Sequence, residues 1–271
     1  MTGQPDLGEV QQTLYIPLLS RAAYTRSGGP LLRDPKAVEI VEALDPDRQK
    51  FGGTGDVFTV LRTAIYDYWV SQFLKAHPSG TVVELGSGLN SRFERVDNGE
   101  VRWFDVDLPD TVAVRRRFFA DSDRRHTVAA SVADTDWMDP VTSAPGPYFL
   151  VSEGVLVYLR PEDATRSLRQ IAERFAGSQF ALDTYTASMM RKEHSMAAKR
   201  HIARWQWACD DPRELEPLGL RVRDSASYRR PPEPMRKSIP LRHRALMSLV
   251  DRAAGGMVAL TLFDLINPVG A

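Results

Sequence analysis

The sequence predicts an α/β fold carrying a parallel sheet. Short apolar runs with strand character recur along its 271 residues, segments of helical spacing lie between most of them, and one run empties directly into a glycine turn. No period of ~20–50 residues repeats, so a solenoid is not expected.

A helical region comes first. Asp34, Pro35 and Lys36 open a helix over Ala37–Leu44, and an aromatic-rich helix follows over Val60–Leu74. Strands are expected at Thr81–Leu85, Val101–Asp105, His126–Ala130, Tyr148–Ser152, Gln179–Asp183, Leu220–Arg223 and Met257–Asp264. Pro109–Ala120 and Pro161–Phe175 have helical spacing. In the second, Pro161 suits a first turn and Glu162 and Asp163 favour its positive end. Ala164, Leu168, Ile171 and Phe175 share one face, and Gly177 ends the helix. Two segments interrupt the alternation: Thr184–Cys209, a long polar and aromatic helical stretch, and Arg229–Pro240, proline-rich and basic. Insertions at the carboxyl ends of strands in open α/β sheets form binding-site walls or lids.

Composition narrows the partners. With 43% hydrophobic and 26% charged residues the chain reads as globular. Its 35 basic and 35 acidic side chains cancel, so there is no surplus of positive charge to drive counterion release, and a nucleic-acid partner is not expected. The single cysteine, Cys209, forms no internal disulfide and no cysteine-based zinc site; no metal is expected, and the location expected is cytoplasmic. No apolar stretch reaches the ~20 residues of a membrane span, and Met1–Val10 is polar, so neither membrane nor export is expected. The basic residues are six lysines and 29 arginines, an imbalance more typical of genomic base composition than of function.

The most informative stretch is Thr81-Val82-Val83-Glu84-Leu85-Gly86-Ser87-Gly88-Leu89-Asn90. A buried strand runs into a G-x-G turn, and Asp107 follows the next strand. Glycines let a ligand approach the backbone, and a carboxylate after the second strand hydrogen-bonds ribose hydroxyls. The same pattern also occurs as a plain tight turn. Two details separate the candidate ligands. Ser91 replaces the third glycine that packs a helix under a pyrophosphate, and Glu84, two residues before Gly86, would repel phosphate but favour an ammonium group. S-adenosylmethionine has an amino group, a sulfonium and a ribose but no phosphate, and it is the ligand expected; a nicotinamide dinucleotide is the alternative.

Three segments then carry a resemblance: Glu84-Leu85-Gly86-Ser87-Gly88-Leu89-Asn90-Ser91-Arg92, Trp103-Phe104-Asp105-Val106-Asp107-Leu108-Pro109 and Val151-Ser152-Glu153-Gly154-Val155-Leu156-Val157-Tyr158-Leu159. Together they resemble the leucine carboxyl methyltransferase family, in its bacterial branch of tetracenomycin-type polyketide O-methyltransferases. The resemblance covers roughly Leu32–Asp183. It implies the class I S-adenosylmethionine-dependent methyltransferase fold, a Rossmann-like sheet of seven strands, six parallel and one antiparallel. The regions expected are a helical cap over 1–80, a cofactor-binding core over 81–183, a helical lid and substrate region over 184–256 and a C-terminal strand over 257–271.

The resemblance also implies roles. Arg62 would clamp the cofactor carboxylate, for which a guanidinium offers a bidentate fork, although an exposed helix arginine is the other reading. Gly86 and Gly88 would line the methionine portion, Asp107 the ribose, Ser131 and Val132 the adenine edge, and Glu153 the amino-acid end. Asp105 is a second ribose candidate, but Asp107 holds the family's position before Leu-Pro.

Methyl transfer from a sulfonium is an in-line displacement, in which catalysis comes largely from positioning and exclusion of water. A carboxylate acceptor is already ionised at neutral pH, whereas a phenol of pKa ~10 gains from a base. His194 and His201, seven residues apart, are the base candidates, or else two solvent-facing histidines. Arg191, Lys192, Lys199 and Arg200 would steer an anionic acceptor or form a solvated face. Tyr158, Tyr185, Met189 and Trp205, with Met190 and Trp207, would suit a flat aromatic acceptor. The function expected is O-methylation of a small aromatic or polyketide-derived metabolite. The alternatives are a nicotinamide-dependent oxidoreductase and a cofactor-binding protein that transfers no methyl group.

Overall fold

Every second residue of the central strands faces the same way, and each face meets its own layer of helices. The computed structural model describes residues 7–52, 57–228, 230–237, 239, 241 and 256–268. Parts of the expected cap, of the lid and of the C-terminal strand lie outside the described residues: 1–6 and 53–56, 229, 238, 240 and 242–255, and 269–271.

In chain order the elements are α1 (Glu9–Gln12), α2 (Tyr15–Arg26), α3 (Pro35–Leu44), α4 (Arg48–Phe51), α5 (Val57–Ala76), β1 (Thr81–Leu85), α6 (Arg92–Val96), β2 (Arg102–Asp107), α7 (Pro109–Arg115) and β3 (Arg125–Ala129). Then come α8 (Met138–Thr142), β4 (Tyr148–Ser152), α9 (Pro161–Arg174), β5 (Gln179–Tyr185), α10 (Ala187–Arg200), β6 (Leu220–Ala226), α11 (Glu233–Arg236) and β7 (Val258–Leu265). Among the described residues the seven strands form one sheet in the order β3-β2-β1-β4-β5-β7-β6. Only β7 runs antiparallel to its neighbours.

On one face Val83, Leu85, Val106 and Leu150 pack under α9 and the Trp137 turn. On the other, Val82, Trp103, Phe149 and Val151 pack against Tyr66, Trp69 and Phe73 of α5. The α9 helix buries Ala164, Leu168 and Ile171, as its spacing predicts, and Phe175, its C-cap, lies in stacked contact with Trp137 at 5.6 Å. Truncating Ile171 to alanine there costs about 2–5 kcal/mol.

Several boundaries differ from expectation: β5 and β6 run on to Tyr185 and Ala226, β3 and β7 shift by one residue, and α5 is longer at both ends, while three further differences bear on the site. β2 runs on to Asp107 because Val106 and Asp107 pair with Leu85 of β1 and Ala129 of β3, respectively. The helix opened by Pro109 stops at Arg115, and Phe118 and Phe119 continue as turns. The expected helix over Thr184–Cys209 is α10 alone. His201 caps it in the left-handed conformation, and the chain then extends, with Ala203, Trp207 and Cys209 buried at odd positions. Residues 206–209 are held by main-chain bonds to Val157 and Tyr185. A switch of burial from a period of 3.6 to a period of two marks this change.

Candidate functional site

At the carboxyl end of β1 the chain turns on Gly86 and Gly88, at φ +68° and +49°. Val106 accepts both the Gly86 and the Ser87 N–H, which pins the turn to β2. A Cβ on Gly86 would lie 2.3 Å from Val155 Cγ2, so this position requires glycine for space as well as for its positive φ. From beneath, Arg115 Nη1 donates to the carbonyls of Gly88 and Asn90 at 2.9 and 2.8 Å.

The two candidate ribose carboxylates of β2 have different surroundings. Asp105 is fully buried between Arg115 and Arg125, at 2.8 Å from each. Asp107, two residues on, lines the cavity above the turn, accepting from the backbone N–H groups of Gly88 and Leu108 at 2.6 and 2.7 Å. Burial pushes its carboxyl up from the ordinary value against those two bonds.

The third wall is a buried charge cluster. Arg62, from α5, donates to Glu153 (3.0 Å), to Asp183 (3.1 Å) and to the Tyr185 hydroxyl (2.7 Å). Its fork is therefore shared among protein groups as it faces the cavity. Arg92 bridges Glu84, Glu153 and Asp67. The two glutamates differ sharply. Burial pushes Glu153 up, but the Arg62 and Arg92 guanidiniums and the Thr63 hydroxyl outweigh it and hold the carboxyl at about 2. In Glu84 burial wins over Arg92, with Asp105 adding to the rise, and the carboxyl is pushed up to about 7. Glu84 Oε1 takes bonds from Asn90 and Arg92, while Oε2 is buried with no hydrogen-bond partner among the described residues.

These walls belong to one cavity of about 820 Å³. Glu84, Gly86, Gly88, Asp107, Ser131 and Val132 line it, with Arg62 and Glu153, and so do Tyr158, Tyr185, Met189 and Trp205. The cofactor candidates and four of the acceptor candidates, Tyr158, Tyr185, Met189 and Trp205, are thus brought to one cavity. The donor set fits an S-adenosylmethionine molecule: the orphaned Glu84 oxygen suits an ammonium, the glycine turn a close approach, and Asp107 a pair of hydroxyls.

The base candidates are placed elsewhere. His194 lies beside Trp205, its Nε2 2.7 Å from that residue's carbonyl oxygen, and His201 is exposed at the end of α10; neither lines the cavity. Seven-residue spacing aligns two side chains only within a continuing helix, and this helix stops at Arg200. Trp207 is a core residue and Met190 is off the cavity wall. The Trp137 ring is fully buried, also away from the wall.

Sequence reasoning missed several site residues, among them Arg115, Asp183, Arg21 and Glu193, and with Arg21 the wall supplied by Val10, Gln11, Thr13, Leu14, Ile16 and Pro17. Arg115 and Asp183 support the site from within, Asp183 also accepting the Gly154 N–H at 2.9 Å. Arg21 and Glu193 line the cavity itself. Glu193 sits next to His194, on a helix read for its histidines, its basic side chains, Met189 and Met190.

Comparison with known proteins follows the geometry. A family model described as leucine carboxyl methyltransferase matches residues 16–172. The tetracenomycin polyketide synthesis O-methyltransferase TcmP of Streptomyces glaucescens is 32% identical over 224 residues, which span 80% of this chain and 83% of that protein. A Mycolicibacterium smegmatis protein, named for S-adenosyl-L-methionine-dependent methyl transfer, is 30% identical over 77% of this chain and 79% of its own. A chain of the solved complex between the Haloferax volcanii Trm112 methyltransferase activator and a methyltransferase superimposes with a TM-score of 0.51 at 20% identity, covering 87% of this chain and 99% of that one. That likeness shows the fold.

Proposed function

This chain belongs to the leucine carboxyl methyltransferase family and is an S-adenosylmethionine-dependent methyltransferase, and from that premise we propose that it methylates an oxygen, carboxylate or hydroxyl, of a small aromatic or polyketide-derived metabolite. One observation carries this reading: the glycine turn and Asp107 share a single cavity with an aromatic wall of Tyr158, Tyr185 and Trp205. The name of the Streptomyces relative supports the choice of oxygen and of substrate class. Among the described residues no helix is long and apolar enough to cross a membrane, and the proposed location is the cytoplasm.

When bound, S-adenosylmethionine supplies an electrophilic methyl group on a sulfonium. Gly86 and Gly88 admit it to the backbone, Asp107 accepts from its ribose hydroxyls, Ser131 and Val132 border its base, and Glu84 faces its ammonium. Glu153 keeps Arg62 and Arg92 in place at the amino-acid end and offsets their charge, while Arg62 retains a face toward the cofactor carboxylate. The aromatic wall holds a flat acceptor in line and excludes water, which is where rate enhancement arises in a displacement of this kind.

Two measurements test the reading. Calorimetry with S-adenosylhomocysteine is expected to show binding by the folded protein. Incubation with isotopically labelled donor and a set of hydroxylated and carboxylated naphthalenes is expected to give O-methyl ethers or esters. Label found only on nitrogen or carbon acceptors would refute the oxygen assignment.

A further inference from the structure

We propose that the amino-acid end of the cofactor binds with release of a proton, and that Glu84 is the group that gives it up. The inference rests on S-adenosylmethionine being the cofactor and concerns the ammonium end of that site alone.

The ion pairs around the glycine turn join into one continuous chain. It runs from Asp183 through Arg62 to Glu153, through Arg92 to Glu84 and Asp67, and through Arg95 to Asp34 and Arg21. No link is longer than 3.1 Å, and none of these side chains is more than 16% exposed. Among the described residues five carboxylates thus share four guanidiniums. The neighbouring group of Asp105 and Glu94 with Arg115 and Arg125 balances itself. An uncompensated charge is costly in such an interior, so the empty site favours one bound proton. S-adenosylmethionine carries an ammonium, a sulfonium and a carboxylate, a net positive charge that matches the surplus and replaces the proton.

Hydrogen bonding assigns the proton to Glu84. Both carboxylate oxygens accept hydrogen bonds in Asp34, Asp67, Glu153 and Asp183. Glu84 differs: it is 2% exposed, it lines the cavity, and its Oε2 has no hydrogen-bond partner among the described residues. Burial raises its carboxyl first. Asp105 of β2 and Glu153 after β4 add to the rise against Arg92 of α6 and Arg115 of α7, and the carboxyl is pushed up to about 7. From α5, Asp67 draws on the same Arg92. An ammonium at Oε2 donates to the oxygen left without a partner and favours the ionised form, and the displaced proton passes to water. Glu153, held at about 2 by Arg62 and Arg92, has no proton to give at neutral pH.

The test is calorimetry of S-adenosylmethionine binding, without an acceptor, in buffers of different ionisation enthalpy. The slope of the observed enthalpy against that of the buffer counts the protons exchanged. Near pH ~6 the wild-type protein should release ~1 proton, and its affinity should rise by up to ~10-fold per pH unit between pH ~5 and ~7. E84Q, which has no ionisable proton at this position, should bind without release and with an affinity independent of pH over that range. A second ligand needs no variant: 5′-methylthioadenosine keeps the ribose that Asp107 would meet but lacks the amino-acid end, and it should release no proton from the wild-type protein. Binding of S-adenosylmethionine without proton release, or equal release by E84Q, would overturn the proposal and leave the cofactor reading standing. Equal release with 5′-methylthioadenosine would assign the proton to the ribose end and overturn it as well. Absence of S-adenosylmethionine binding at every pH would count against both.

Discussion

Asp107 accepts the Gly88 N–H at 2.6 Å, so one carboxylate both closes the glycine turn and lines the cavity, where its proposed ribose contact would be made. Removing it would loosen the turn as well as delete the proposed ligand contact. A charge-assisted hydrogen bond contributes about 1.5–3 kcal/mol. Asp107→Ala should therefore weaken S-adenosylhomocysteine binding by ~10- to 100-fold in calorimetry. Unchanged affinity would contradict the ribose role.

The two glycines of the turn should respond differently to alanine. At Gly86 a methyl group meets Val155 at 2.3 Å, whereas at Gly88 the nearest atom, Leu14 Cβ, is at 3.5 Å, an ordinary contact. Gly88→Ala thus carries only the cost of its positive φ, about 1–2 kcal/mol. Gly86→Ala adds overpacking of about 1–3 kcal/mol, and a second substitution, Val155→Ala, should recover much of that addition. Urea denaturation of the three variants decides the order.

Glu153 and Glu84 should impose opposite pH dependences on stability. Glu153 is held at about 2, below its ordinary 4.5, so its contribution is present above pH 4.5 and is lost as pH falls toward 2. Glu84 is pushed up to about 7, so its contribution is full below pH 4.5 and is lost as pH rises through 7. Between pH 5 and 8 the ligand-free protein should lose up to about 3 kcal/mol through Glu84. Glu84→Gln should remove that decline. Denaturant titrations at a series of pH values check it; an equal decline in the variant would exclude Glu84 as its source.

His201 caps α10 with φ +51° and is exposed outside the cavity. A glycine there should stabilise the protein by up to about 1 kcal/mol by relieving the left-handed strain. Turnover of a hydroxyl acceptor should remain at the wild-type rate in His201→Gly. A large fall in kcat with unaltered stability would restore the histidine to the reaction.

The sheet and the cofactor half were legible because their signals are local. The apolar run of Val82, Val83 and Leu85, buried on both faces, and two glycines at a strand end are dictated by backbone geometry, and Asp107 stands one residue past the apolar stretch of β2. The acceptor half was legible in residue type only. Tyr158, Tyr185, Met189 and Trp205 do meet at one wall. Their meeting depends on where α10 stops, and a single left-handed residue decides that. The same stop carries His201 away from the cavity. Glu193 and Arg115 were hidden for another reason: a charged residue on an amphipathic helix looks solvated until the fold shows what covers it.

Among the described residues the four most deeply buried arginines, Arg21, Arg92, Arg115 and Arg125, each meet two or more protein groups. A lysine has one compact ammonium and cannot span those partners, so drift toward lysine is closed at these positions. The arginine excess therefore divides into two populations under different selection. Exposed arginines such as Arg166 are free to follow nucleotide bias, while the four in the interior would persist in a relative encoded by an AT-rich genome.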